Sequence, residues 1–188
     1  MTNAAGIKES VMSHIYFVRH GQTVWNVENK ICGATDIELT ALGHEQALQL
    51  GRRLAADGTD IDMILFSPLK RAADTARRIS EATGIPMREE PRLKEQNFGK
   101  YESTPRDGAE FKRDKSNFVN SYGGGETMLK LCHRVYGLLD ELKESRQTYL
   151  LVAHNGIARA VKSYFDDMGN EEFAAYGIDN CEILRFDF

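Results

Sequence analysis

Two short apolar runs, each stopped in the same way, restrict what this chain can fold into more than any other feature. His14-Ile15-Tyr16-Phe17-Val18 is rich in β-branched and aromatic residues and stops at Arg19-His20-Gly21. Thr148-Tyr149-Leu150-Leu151-Val152-Ala153 stops at His154-Asn155-Gly156. Apolar runs this short, bounded by turn residues, read as buried strands. In one parallel sheet their ends lie at the same edge, where open α/β sheets bind ligands. Gly21 lets the backbone turn and a ligand come close. Arg19 offers a planar fork of donors that fits two phosphate oxygens, and His20 a ring nitrogen that is neutral and nucleophilic near pH 7. Taken alone, each His also reads as a hydrogen-bonded structural residue.

The segments between these runs alternate strand and helix, the pattern of an α/β fold. Thr40 is an N-cap for a helix that places Leu42, Gln46, Leu50 and Leu54 on one line and ends at Gly58. Asp62-Met63-Ile64-Leu65-Phe66 is a second central strand. After it, Ser67 caps a helix that has Pro68 at its first position, where a missing N–H costs nothing. Arg71 then falls in the first turn, a place where a cation opposes the helix dipole, so it is either a solvated Arg or a ligand group. Ile85 to Glu89 reads as an edge strand, and residues 103–122, with Phe111 and Phe118, as a helical lid. Gly123-Gly124-Gly125-Glu126-Thr127 opens a long helix striped by Met128, Leu131, Cys132, Val135, Leu138, Leu139 and Leu142. The triple Gly lacks the Gly-Lys-Ser/Thr ending of a nucleotide loop. Glu182 to Phe186 is a last edge strand.

A chain of 188 residues, 41% hydrophobic and 28% charged, fits one globular domain over residues 13–188, with residues 1–12 as a loose extension. Lys and Arg total 24 against 28 Asp and Glu, a net charge of −4, so there is no global basic field for nucleic acid. A phosphorylated ligand must be held by local cations. Cys32, Cys132 and Cys181 lack the spacing of a zinc site or redox motif and read as reduced, which favours the cytoplasm. The first residues form neither a signal peptide nor a membrane anchor, and no apolar run has the length of a membrane span. No metal site and no cofactor are expected.

The strand end continues through Gln22, Thr23 and, after Trp25, Asn26. With Ser67 to Ala76, with Leu93, Glu95, Gly99, Tyr101 and Glu102, with Gly124 to Thr127, and with Val152 to Gly156, it resembles the signatures of the histidine phosphatase superfamily, the phosphoglycerate mutase-like family. The resemblance runs over roughly residues 14–186 and departs from the family pattern at Ser103 and Asn155, where Gly is usual. It implies a three-layer α/β/α sandwich around a mostly parallel sheet. It also implies a metal-independent phosphatase acting on a small phosphorylated metabolite. His20 would be the nucleophile that becomes phosphorylated. Arg19, Arg71 and a protonated or hydrogen-bonding His154 would cradle the phosphoryl oxygens, with Gln22, Thr23, Asn26 and Asn155 as further donors. Glu95 would protonate the leaving alcohol and then activate water, with Glu102 as a nearby rival. Glu126 either orients site groups or suits a helix N-terminus. Mutases of this family are usually longer, with an inserted segment and a C-terminal tail, so hydrolysis is favoured over a mutase. A non-catalytic phosphoester binder is the reading outside catalysis.

Overall fold

The computed structural model describes residues 13–188, and the extension expected over residues 1–12 lies outside them. The strands are β1 (His14–Arg19), β2 (Met63–Phe66), β3 (Met87–Glu89), β4 (Tyr149–Ala153) and β5 (Ile183–Asp187), ordered β3-β2-β4-β1-β5 in one sheet. All neighbours are parallel except β1 and β5. The helices are α1 (Val24–Val27), α2 (Ala41–Asp57), α3 (Lys70–Thr83), α4 (Ala109–Lys115), α5 (Met128–Lys143), α6 (Asn155–Phe165) and α7 (Asn170–Ala175).

Side-chain alternation along the strands sorts the core into two slabs. Ile15, Phe17, Leu65, Tyr149, Leu151 and Ala153 pack with α5 and α6. Val18, Ile64, Leu150 and Val152 pack on the other face with α2 and α3. Every residue of β4 is buried, as befits a strand covered on both faces. The result is the expected three-layer α/β/α sandwich with a mostly parallel sheet. A third, separate cluster of Ile31, Phe98, Tyr101, Phe111 and Tyr122 sits away from both slabs.

Three local expectations are corrected. Leu42 is 53% exposed, and the inward line of α2 is Gly43, Ala47, Leu50, Gly51 and Leu54. Gly43 backs onto Gln22 and Gly51 onto Ala82, so close backbone approach selects small residues for this face. Helix α3 begins at Lys70, so Ser67 and Pro68 precede it, and its N-cap Leu69 makes no side-chain cap. The cap comes from far away: Asp36 Oδ1 accepts the Lys70 N–H at 2.8 Å. Within residues 103–122 only Ala109–Lys115 is helical. Phe111 anchors that short helix in the third cluster, whereas Phe118, beyond it, packs at a tilt against Phe173.

Leu151 is fully buried on the strand flanked by β1 and β2. Leu151→Ala is expected to cost about 2–5 kcal/mol through lost transfer energy and an unfilled cavity. Urea unfolding should show this as a lower midpoint at unchanged slope.

Candidate active site

The register of the sheet sets the first distances. Arg19 pairs with Ala153 across β1 and β4, so His20 and His154 leave adjacent strand ends side by side, their ring centroids 5.1 Å apart. The backbone of His20 is fixed at both ends of its peptide unit. Its N–H donates to Ala153 O at 2.9 Å, and its carbonyl accepts from Asn180 Nδ2 at 2.7 Å. Gly21 N–H donates to Thr75 Oγ1 at 3.0 Å. A side chain at Gly21 would press on the Gly43 carbonyl, so the turn between strand and helix layer admits only glycine on both sides.

The His20 ring is oriented by its own neighbour. Nδ1 lies 2.7 Å from Gly21 O, an acceptor only, so the proton sits on Nδ1 and Nε2 carries the lone pair. Nε2 accepts a long bond from Arg71 Nε at 3.3 Å. Burial, then the charges of Arg71 and Arg19, hold the His20 imidazole well below its ordinary range, so it is neutral at pH 7.

Arg71 is wholly buried. Besides His20, it donates to Thr35 O at 2.9 Å and Gly33 O at 2.7 Å. A guanidinium has five N–H groups, so each terminal nitrogen keeps one more. Arg19 donates to Ile178 O at 2.6 Å, and its Nε is buried without a partner among the described residues. Burial and the Arg106 charge lower the Arg19 pKa to about 10, still far above neutral.

His154 is fully buried, with Nε2 2.7 Å from Ser67 Oγ and Nδ1 unpartnered among the described residues. Burial and the charges of Arg71 and His20 push its pKa well below the ordinary value. Of the two expected forms, the lowered pKa favours the neutral hydrogen-bonding one. This also explains why Ser67 is no helix cap: its hydroxyl serves His154.

Glu95 is buried and held by two backbone amides, Oε1 by Gln96 N–H at 2.8 Å and Oε2 by Gly156 N–H at 3.0 Å. A side chain at Gly156 would press into that carboxylate, which accounts for the glycine there. The rival Glu102 is fully engaged elsewhere. It accepts from Gly33 N, Ala34 N, Thr35 Oγ1 and Phe98 N, and so shapes the loop that holds Arg71. Glu126 forms a two-point ion pair with Arg134 at 2.8 Å, and Arg134 also donates to Arg92 O. It braces the chain leading into Glu95.

Arg19, His20 and Glu95 border a cavity of about 310 Å³ with Asn26, Asn155, Arg106, Lys115 and Arg159, while Arg71 and His154 lie behind its lining. The expected donor Thr23 is fully buried and is a helix cap instead: its hydroxyl oxygen accepts the Asn26 N–H at 3.2 Å. Gln22 lies outside the lining, and its side-chain oxygen accepts from Thr40 Oγ1. Asn26 lines the cavity, its Oδ1 receiving Thr23 N–H. Asn155 Oδ1 accepts the Ile178 N–H at 3.0 Å, so it fixes the loop that Arg19 also grips. Sequence reasoning missed Asn180, Thr75, Arg106, Lys115 and Arg159. Only Arg159 had a signal: it follows Asn155 at helical spacing, a lone charge in the apolar run Ile157 to Val161.

Residues 15–188 match the family model of the histidine phosphatase superfamily (branch 1). A probable phosphoglycerate mutase, GpmB, of Yersinia pestis (strain Pestoides F) is 32% identical, covering 94% of this chain and 86% of its own. A mycobacterial glucosyl-3-phosphoglycerate phosphatase solved with VO3 superposes with a TM-score of 0.81 at 27% identity, covering 92% of this chain and 90% of its own. A putative alpha-ribazole-5'-P phosphatase from Escherichia coli K-12 gives a TM-score of 0.77 at 26% identity, covering 92% and 89%.

Both buried imidazoles have depressed pKa values, so below the ordinary value of 6.5 the unfolded chain binds protons that the folded chain refuses. Stability is fully present above pH 6.5 and should fall on acidification, by roughly 1.4 kcal/mol per pH unit for each His. Urea unfolding between pH 7.5 and 5.5 measures the slope, which His154→Asn should reduce by about half.

Proposed function

The chain belongs to the histidine phosphatase superfamily, and from that premise we propose that it is a metal-independent phosphatase that hydrolyses a small phosphomonoester through a phosphohistidine. The observation that carries this reading is the state of His20: a neutral ring, its proton pinned on Nδ1 by Gly21 O, with Nε2 deprotonated, held by a long bond from Arg71 Nε and within reach of the Arg19 charge. Direct attack of water on a phosphomonoester dianion is slow, and a nucleophile divides it into two easier steps.

In the first step Nε2 attacks phosphorus, the P–O ester bond breaks, and the departing alkoxide takes a proton from Glu95. The phosphorylated ring is cationic, and Gly21 O stabilises it through Nδ1–H. Arg19 and the spare N–H groups of Arg71 meet the charge that gathers on the equatorial oxygens, with Asn26 as a further donor. His154, neutral and fixed by Ser67, offers a hydrogen bond and no charge. In the second step Glu95 removes a proton from water, which attacks phosphorus, and the P–N bond breaks to release phosphate. Positioning and fixed positive charge do the work, as phosphoryl transfer requires.

The mycobacterial neighbour is named a phosphatase, which supports hydrolysis; the Yersinia relative is named a probable mutase, which supports return of the phosphoryl group to a second hydroxyl. The two differ in the fate of the phosphohistidine. Wild-type enzyme mixed with substrate should carry an acid-labile phosphoryl group by intact mass, release inorganic phosphate to water, and be insensitive to EDTA. Isomerised ester with no free phosphate would make it a mutase. His20→Ala should abolish labelling and turnover while retaining the fold by circular dichroism.

Glu95 has its own signature. Glu95→Gln should lower turnover of alkyl phosphates about 10²–10⁴-fold, the usual worth of general acid–base help. It should affect p-nitrophenyl phosphate much less, because that leaving group needs little protonation. Equal losses on both esters would remove the acid role from Glu95.

A further inference from the structure

The Gly-Gly-Gly-Glu segment at 123–126 takes no part in the reaction at His20, and Glu95 is the site group with the least support from regular structure. Arg19 ends β1 and His20 follows it, His154 follows β4, and Arg71 belongs to α3. Glu95 lies in the stretch Lys94 to Phe98, which is neither helix nor strand. A hollow of about 280 Å³ borders Lys94, Glu95, Asn97, Glu126 and Arg134, so close packing does not hold the stretch on that side. A proton donor displaced by a small distance loses much of its effect, so the carboxylate must be held by other means.

Polar contacts from Glu126 and Arg134 supply the hold. Glu126 N–H donates to Asn97 O at 2.8 Å, and Glu126 O accepts from Gln96 Nε2 at 3.0 Å. The Glu126 carboxylate takes Arg134 Nε and Nη2, both at 2.8 Å, and Arg134 Nη1 donates to Arg92 O. Glu95 is therefore gripped from both directions along the chain, through Arg92 before it and through Gln96 and Asn97 after it. Gln96 is the link that reaches the carboxylate. Its backbone N–H donates to Glu95 Oε1 at 2.8 Å, while its fully buried side chain is tied to Glu126. A Cβ at Gly125 would collide with Asn97 O, so the glycine segment is what lets the two backbones approach.

The base of the grip is firm. Arg134 belongs to α5, whose Leu131, Val135 and Leu138 share one apolar slab with Leu93. Each partner of the Glu126–Arg134 pair is 21% exposed, and a fork of two bonds fixes direction as well as distance. The start of α5 is capped by Thr127, whose hydroxyl accepts the Lys130 N–H at 3.2 Å, which leaves the Glu126 carboxylate to Arg134.

We propose that Glu126 and Arg134 are positioning residues for Glu95: acting through Gln96 and the backbone of residues 92–97, they set its carboxylate against the departing alcohol. This rests on the acid role given to Glu95 above. Neither residue lines the active-site cavity, so their loss slows proton delivery and leaves phosphate binding alone.

The test uses Arg134→Met and Glu126→Gln, the second of which keeps both backbone contacts of Glu126 should the first not fold. With KM little changed, kcat/KM should fall about 10–100-fold for an alkyl phosphate and less than about threefold for p-nitrophenyl phosphate. In a Glu95→Gln background, Arg134→Met should lower alkyl phosphate turnover no further, because the group it positions is gone. Equal losses on both esters in the two variants, or losses that add fully to that of Glu95→Gln, would overturn the assignment. Amide exchange followed by NMR separates it from the acid reading. Gln96 N–H should exchange faster in the variants than in wild type, while Gly21 N–H, at the His20 end, keeps its rate. If Glu95→Gln itself weakens both esters alike, the acid reading fails; selective loss of protection at Gln96 then still supports the grip on Glu95, and unchanged protection rejects it.

Discussion

The buried guanidinium of Arg71 joins three parts of the chain at one point. It rises from the first turn of α3, reaches the carbonyls of Gly33 and Thr35 in the loop before α2, and ends against the His20 ring. A full positive charge in that position is tolerable only because carbonyl oxygens surround it. The loop that supplies them is itself gathered by the Glu102 carboxylate. Carboxylate, loop, cation and imidazole form one chain of dependence, and burial, then the Arg71 charge, keep His20 and His154 neutral.

Much of the framework was legible because it rests on local rules. Short apolar runs became β1, β2 and β4, and the histidines at two strand ends met because parallel strands end at one edge. The helix stripes of α5 packed as their periodicity required. What local rules missed was decided by distant partners. Ser67 has the look of a helix cap, yet its hydroxyl is taken by His154, 87 residues away. Thr23 has the look of a phosphate donor, yet it is fully buried outside the cavity lining, where its oxygen caps the next helix. Glu95 and Glu102 are alike in type and only seven residues apart, and the sequence prefers Glu95 by its place in the motif alone. The three-dimensional positions of Gly156 on one side and Gly33 to Thr35 on the other separate their surroundings. Arg106 and Lys115 were invisible for the same reason, since a surface-like basic residue becomes a pocket wall only when the elements around it close.

Rigidity is distributed unevenly around the cavity. The His20 end is fixed by backbone bonds to Ala153, Asn180 and Thr75, and the Glu95 end by two amides. Catalytic groups placed on strand ends and backbone donors lose little entropy on reaching the transition state. The basic end, Lys115 with Arg106 and Arg159, stands on a short helix and on single Nε contacts, where side chains can adapt to what is bound.

Phe111 ties that short helix to a cluster of its own, shared with neither slab of the sandwich. The segment carrying Arg106, Lys112 and Lys115 can thus exchange residues without disturbing the sheet or the nucleophile. The sheet and the segment over the cavity are packed as separate bodies of apolar contact, so a change in one is not transmitted through a shared core to the other.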